Sequence, residues 1–306
     1  MYSITIRPDT FRLTPDLKNQ NPYIDVKNST NLKKSYRQHE ELTSLLKPNV
    51  TYSVAKKGDV PDLVFCANAG LALPRLPEPF VIVSYMKYPQ RKAEREYIED
   101  ILRERGIKSV RFPGTQDAPF EGQAEAKWFD GGQLLVCGYG YRATKESIKI
   151  LRSILKEIYD SYGVAPPRVV SFQIQSPLYY HLDFAMLVFS PTECIVQKGA
   201  FASQDITRLR QELGDRNVYV LESSDPFCLN SVVQDDTLLT HKLMEEDLDE
   251  RLEKITGLTV RQIDISEFEK SGGSVACMIF TIYDRQHIKR KRSSTNLSQQ
   301  APSSPR

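Results

Sequence analysis

The chain has 306 residues, with 41 Lys and Arg against 39 Asp and Glu and a formal net charge of +2 at pH 7. Hydrophobic residues make up 40% and charged residues 26%, which admits one large domain or two modest ones and excludes wholesale disorder. The balance of charge argues against a nucleic-acid surface or an acidic-membrane surface, and no run approaches the roughly 18 apolar residues of a membrane span. In chain order, residues 50–54, 63–66 and 80–84 are short β-branched or aromatic runs bounded by Pro, Gly or Asn, and predict strands. Residues 92–105 put Ile98, Ile101 and Leu102 at i, i+3, i+4 and predict an amphipathic helix ending near Gly106. A strand at 133–138 precedes a helix at 144–161, whose Ile148, Leu151, Leu155 and Ile158 share a face. Strands follow at 169–174, 184–189 and 194–196, a helix at 203–213 and a strand at 218–221. A helical stretch at 238–256 and strands at 259–265 and 277–282 close the pattern. The order strand, strand, helix, strand recurs and suggests several similar α/β units.

The segment Met1-Tyr2-Ser3-Ile4-Thr5-Ile6-Arg7-Pro8 lacks the apolar core of a signal peptide. The five cysteines, at 66, 137, 194, 228 and 277, are odd in number and form no C-x-x-C pair. Both features favour a reducing compartment, and a cytoplasmic protein is expected. The tail has another composition. Arg285, Lys289, Arg290, Lys291 and Arg292 form a basic run, followed by a Ser/Pro-rich end that cannot bury enough apolar surface to order itself. The expected organisation is one catalytic domain over 1–286 and a disordered tail over 287–306, whose basic run also fits a nuclear address.

Chemistry-bearing residues gather at the ends of predicted strands. Cys277 lies between the Ser/Gly-rich loop 271–274 and a short apolar strand. Glycine carries no Cβ, so backbone N–H groups of that loop can approach a substrate closely. A distant histidine, His181, supplies a base for thiolate catalysis. In His181-x-Asp183, read as strand, imidazole and carboxylate face the same way. Asn68 ends the predicted strand 63–66 at a glycine turn. Glu121 and Glu125 flank Gly122, and Arg142 follows Gly138-Tyr139-Gly140-Tyr141. No three clustered ligands have the spacing of a metal site.

Together these segments resemble the guanidino-group-modifying superfamily, which includes arginine deiminases, dimethylarginine dimethylaminohydrolases, glycine amidinotransferases and arginine dihydrolases. The resemblance is strongest to the arginine dihydrolase branch, whose members carry Asn-Pro, D-x-V-F-T-A-N-A-G, P-x-R-x-x-E, F-E-G-x-G-D, G-Y-G-x-R, H-L-D, P-G-A-F and G-G-x-x-x-C in this order. The chain has, in the same order, Asn21-Pro22, residues 62–70, Pro89-Gln90-Arg91-Lys92-Ala93-Glu94, residues 120–125, residues 138–142, His181-Leu182-Asp183, Lys198-Gly199-Ala200-Phe201 and residues 272–277. The resemblance implies a pentein α/β propeller, five ββαβ-type units around a pseudo-fivefold axis with the active site in the central channel. It places the nucleophile on Cys277, the general acid/base on His181 and the orienting carboxylate on Glu121. It also places substrate contacts on Asp183, Asn68, Glu125, Asn21, Arg91 and Arg142.

A guanidinium carbon is deactivated by resonance, so attack needs a thiolate and carboxylates that hold the planar cation, whose N–H fork suits bidentate pairing. The implied function is a cysteine-dependent hydrolase acting on the guanidino group of arginine or a derivative through a covalent amidino-thioester. The alternatives are an amidinotransferase, in which an amine takes the group, and a catalytically silent binding pentein. A small guanidino substrate is the expected ligand, and the chemistry needs no metal or organic cofactor. The oligomeric state stays open, a homo-oligomer included. The chain departs from the branch at Glu125, where Asp is usual, at Ala124, where Gly is usual, and at Cys66, where Thr is usual. One more residue separates the two carboxylates than in the E-G-G-D of deiminases, which leaves open the roles of Glu121 and Glu125.

Overall fold

The computed structural model describes residues 1–15, 20–53 and 60–284. The predicted tail and its basic run lie outside these residues. Strand β1 (Tyr2–Ile6), helix α1 (Leu32–Leu45) and β2 (Asn49–Tyr52) form the first crossover, with β1 and β2 parallel. Their third strand comes from the far end of the chain, because β15 (Phe280–Ile282) pairs antiparallel to β1, with Ile4 opposite Phe280. The second unit is β3 (Gly70–Ala72), β4 (Phe80–Val83), α2 (Glu94–Glu104) and β5 (Lys108–Arg111). The third is β6 (Ala126–Phe129), β7 (Leu134–Tyr139), α3 (Lys145–Ser161) and β8 (Arg168–Gln173). A one-turn helix α4 (Leu182–Ala185) leads into the fourth, β9 (Met186–Val188), β10 (Cys194–Gln197), α5 (Ser203–Leu213) and β11 (Val218–Leu221). The fifth is β12 (Val232–Gln234), β13 (Thr237–His241), α6 (Leu248–Thr256) and β14 (Thr259–Ile263), followed by α7 (Ser266–Glu269).

Each unit is a three-stranded sheet with the same plan, an antiparallel pair and then a helical crossover to a parallel outer strand; the pair is contiguous in sequence in every unit but the first, whose β15 comes from the far end of the chain. A parallel pair cannot be joined by a tight turn, which is why every unit carries a helix. The first strands β3, β6, β9, β12 and β15 line a common central channel, so the five units form the expected propeller. Local sequence explains the helices. Thr144 and Ser147 make a reciprocal capping box at the start of α3, and Ile148, Leu151, Leu155 and Tyr159 bury its inner face. In α2, Glu94 and Glu96 sit in the first turn and Arg103 in the last, matching the helix dipole, while Ile98 and Leu102 are buried.

Four expectations change. Residues 63–66 are turns, not a strand; they run into a 3-10 turn over Cys66–Ala69, and the strand begins at Gly70 in extended backbone. A short buried apolar run has no periodicity that separates strand from buried turn. Residues 184–185 belong to α4, so only Met186–Val188 is strand. The stretch 238–256 divides into β13 and α6, because its leading leucines pair with β12. Cys277 lies in a 3-10 turn over Ala276–Met278 ahead of β15.

Candidate active site

Every unit delivers polar groups to one place, the turn that precedes its first strand. Asn68 precedes β3, Glu121 and Glu125 precede β6, and His181 and Asp183 precede β9. Asn230 precedes β12, and Cys277 precedes β15. All seven are buried. His181 is the residue before α4 and Asp183 lies in its first turn, so a helix start, not strand alternation, brings the pair into the site. Gly122 holds its turn at φ +64, and a Cβ there would lie 2.4 Å from Gly70 O. Only glycine allows this close approach, which sets Glu121 beside Asn68.

Of the two glutamates, Glu121 is the partner of His181. Its Oε2 lies 2.7 Å from His181 Nε2 and accepts from Arg142 Nη1 at 2.9 Å, while Oε1 accepts from the Lys87 N–H at 3.0 Å. Burial alone would raise the Glu121 carboxyl, but Arg142 and His181 outweigh it and hold it well below the usual carboxylate range. Burial pushes the His181 imidazole down, against the pull of Glu121, so the resting ring is neutral. With Nε2 held by Glu121, His181 Nδ1 has no hydrogen-bond partner among the described residues. Asn68 Nδ2 lies 3.2 Å from His181 Nε2 and 3.5 Å from Glu121 Oε2.

Glu125 is in the opposite condition. Both of its oxygens are buried without a hydrogen-bond partner among the described residues, Oε1 being 3.8 Å from His181 Nε2. Burial, with Glu121 and Asp183 adding to it, raises its carboxyl well above the usual range. Asp183 Oδ2 contacts Cys277 Sγ at 3.7 Å, and Asp183 Oδ1 has no hydrogen-bond partner among the described residues. Burial raises Asp183, and Lys127 and His181 oppose the rise. Burial, then Asp183, pushes the Cys277 thiol up, so the resting group is protonated. All five cysteines are free and buried.

Asn230, which the sequence does not single out, grips Cys277 from both sides. Its Oδ1 accepts the Cys277 N–H at 3.2 Å and its Nδ2 donates to Cys277 Sγ at 3.2 Å. Its signal is positional: it fills the slot before a first strand that the other units fill with Asn68, Glu121, His181 and Cys277. Reading 238–256 as one helix hides that slot.

The remaining expected contacts are engaged with protein. Arg91 donates through Nε and Nη2 to both oxygens of Glu94 at 2.8 Å and through Nη2 to Asp62 O at 3.2 Å. Arg142 Nη2 donates to Gln20 O at 2.8 Å, and its guanidinium lies between the rings of Tyr88 and Tyr180, at 4.7 and 4.8 Å. Asn21 donates to Ser271 O at 3.1 Å and accepts from the Tyr23 N–H at 3.0 Å. The loop before Cys277 also differs from expectation. The N–H groups of Gly272 and Gly273 donate to Glu269 O and Phe268 O, so its glycines provide close packing against Asn21 and Phe65. The cleft lined by Asn21, Asn68, Arg142, His181 and Cys277 holds about 20 Å³, closed as it stands to anything larger than water. No cluster of three or more His, Cys, Asp or Glu side chains among the described residues could hold a metal ion.

The family model for N,N dimethylarginine dimethylhydrolase, eukaryotic, matches residues 7–284. The bifunctional arginine dihydrolase/ornithine cyclodeaminase ArgZ of Synechocystis sp. is 28% identical over 224 residues, 72% of this chain and 29% of that protein. The chain therefore spans less than a third of ArgZ, and the same share, 29%, of AgrE of Nostoc sp.. The N(G),N(G)-dimethylarginine dimethylaminohydrolase of Mycobacterium tuberculosis is 24% identical over 266 residues, 86% of this chain and 80% of that protein. The structure of the N-terminal domain of ArgZ bound to substrate superposes with a TM-score of 0.77 at 23% identity, covering 92% of this chain and 98% of that one. A dimethylarginine dimethylaminohydrolase adduct with S-methyl-L-thiocitrulline gives 0.65 at 16%, covering 92% and 99%. The two superpositions establish the pentein fold, and the family match over nearly the whole described chain places it among the guanidino-modifying proteins: it belongs to the eukaryotic N,N-dimethylarginine dimethylhydrolase family.

Proposed function

We propose that the chain is a hydrolase of the guanidino group of arginine or an N-substituted arginine, with Cys277 as nucleophile, His181 as the proton shuttle and Glu121 as its orienting carboxylate. The observation that carries this reading is the set of three buried carboxyl oxygens without hydrogen-bond partners among the described residues, Glu125 Oε1, Glu125 Oε2 and Asp183 Oδ1, around Cys277 and His181. Unpaired buried acceptors are costly, and a planar cation bearing several N–H donors satisfies them together. Docking such a cation also answers the protonated thiol. A positive charge about 4 Å from sulfur is worth roughly 4 kcal/mol at an effective dielectric of about 20, or about three units of pKa.

His181 Nδ1 takes the thiol proton as the cation docks, and the thiolate attacks the guanidino carbon. The tetrahedral adduct collapses as His181 returns the proton to the departing nitrogen, releasing ammonia from arginine or a methylamine from a methylated arginine. Water, deprotonated by His181, then attacks the amidino-thioester and expels the Cys277 thiolate. A urea product results, citrulline in the case of arginine. One observation favours a second round. Asn68 places a neutral amide beside His181 and Glu121, able both to donate to and to accept from a neutral ureido group. Attack on citrulline in that pose yields ornithine, carbon dioxide and a second ammonia. The test is incubation with arginine, dimethylarginine and agmatine, with mass analysis of products and Cys277→Ser as control. Ornithine with two ammonia from arginine supports the double hydrolysis, with Asn68→Asp shifting the product to citrulline. Citrulline alone limits the reaction to one round, and transfer to an added amine in place of water overturns the hydrolase reading.

A further inference from the structure

The polar side chains that line the cleft are almost all engaged with protein. Asn21 donates to Ser271 O, Asp62 Oδ1 accepts from Ser271 Oγ at 3.1 Å, and Tyr180 donates to Gly272 O at 2.7 Å. Arg91 holds Glu94, and Arg142 holds Glu121. Two buried nitrogens of the lining residues have no hydrogen-bond partner among the described residues, His181 Nδ1 and Gln20 Nε2. The first takes the thiol proton. The second belongs to a side chain only 5% exposed, immediately before Asn21-Pro22, and no motif that points to this family includes it.

Arg142 fixes where Gln20 stands. Its Nη1 donates to Glu121 Oε2 and its Nη2 to Gln20 O at 2.8 Å, so one guanidinium separates Gln20 from the carboxylate that holds His181. The two sides of Cys277 differ in polarity. Toward Glu125 and Asp183 there are buried oxygens without partners among the described residues, which suit a cation. On the cleft side the lining holds two guanidiniums, Arg91 and Arg142, against one carboxylate, Asp62, together with the unused donor of Gln20, and these suit an anion. We propose that Gln20 is a specificity residue of this site: its side-chain amide donates to the α-carboxylate of an amino-acid substrate, so the cleft selects arginine and its N-substituted forms over guanidino amines that lack a carboxylate. The inference rests on the guanidino reading of the site. A buried donor that only the carboxylate satisfies penalises a ligand without one, because the donor is then left dry. Every ligand must part the cover that closes the cleft, and that cost is common to all of them. The change in the ratio of two affinities on substitution at Gln20 therefore reads this contact.

The experiment measures equilibrium binding to the full chain carrying Cys277→Ser, which holds ligand without turning it over. Arginine, and agmatine as the same molecule without its α-carboxylate, are titrated by calorimetry into this chain with Gln20 intact, with Gln20→Met and with Gln20→Glu. Both substitutions keep an unbranched side chain and the backbone oxygen that Arg142 uses. Gln20→Met is expected to weaken arginine by about tenfold or more and to leave agmatine within about threefold. Gln20→Glu sets a carboxylate against a carboxylate. It is expected to weaken arginine further and to leave agmatine at least as tight as before. An equal loss for both ligands, or no loss for arginine, overturns the proposal. A chain with Gln20 intact that binds neither ligand overturns it together with the hydrolase reading. Circular dichroism confirms the fold of each variant. Turnover by the chain with Cys277 intact is followed in parallel. Turnover combined with an arginine affinity indifferent to Gln20 removes the proposal and leaves the hydrolase reading standing, and the expected shifts without turnover do the reverse.

Discussion

Asn230 offers the sharpest test of how this site handles its thiol. Its amide is buried, with Oδ1 on the Cys277 N–H and Nδ2 on Cys277 Sγ, both at 3.2 Å, and Nδ2 also 3.5 Å from Asp183 O. Asn230→Ala removes a donor from the sulfur at the moment it becomes a thiolate. A hydrogen bond to a charged group is worth about 1.5–3 kcal/mol, so the thiolate-dependent step should slow by roughly 10- to 150-fold. The same change orphans a buried N–H, at about 1–3 kcal/mol, and should lower Tm by several degrees, at roughly 2–4 °C per kcal/mol for a chain of this size. Asn230→Asp separates these effects. It keeps an acceptor for the Cys277 N–H but sets a second carboxylate beside the sulfur, next to Asp183, so its activity at pH 7.5 should fall below that of the alanine variant. The assay is kcat/KM for the substrate the unmutated protein turns over, with Tm measured in parallel. An alanine variant within threefold of the unmutated rate, or an aspartate variant faster than the alanine variant, would refute the reasoning.

Gly273→Ala would place a Cβ 2.1 Å from Phe65 Cε1, a ring packed edge-on to Phe11 and Phe268. Overpacking of this kind costs about 1–3 kcal/mol, and calorimetry should show a lower Tm; an unchanged Tm would mean that the loop before Cys277 has slack. A different histidine governs alkaline stability. Buried His241 lies 2.7 Å from Glu269 Oε1 and 3.0 Å from Asp225 Oδ2. Burial pushes its pKa down, but the two carboxylates win and raise it from 6.5 to about 9. The imidazolium therefore stabilises the fold fully below pH 6.5, and its contribution, on the order of 3 kcal/mol, is lost as pH rises through about 9. Urea unfolding of His241→Gln and the unmutated protein should give stabilities that converge between pH 6.5 and 9. A constant gap across that range would show that the histidine stays neutral.

Much of this protein is written locally. The helix over 203–213 and the strand over 218–221 appear where periodicity and β-branching put them, and α3 starts at Thr144 because its cap is encoded within four residues. Glycine at 122 and the H-L-D run at 181–183 announce unusual backbone and chemistry from their residue types alone. What the sequence could not settle are the features that depend on neighbours distant in the chain. Residues 63–66 have the composition of a strand, yet burial on all sides suits them to turns, and composition does not separate the two. His181 and Asp183 share a site because they flank the start of α4, not because they alternate on a strand. Only the closure of the propeller, with β15 returning to β1, brings Cys277 to Asp183 and Asn230 across separations of 94 and 47 residues. The propeller also decides the charge states. Arginine at 142 makes Glu121 an ionised anchor, and the same burial leaves Glu125, four residues on, without a hydrogen-bond partner among the described residues and with its carboxyl raised well above the usual range. Side-chain identity is a local property; desolvation and pairing belong to the assembled ring.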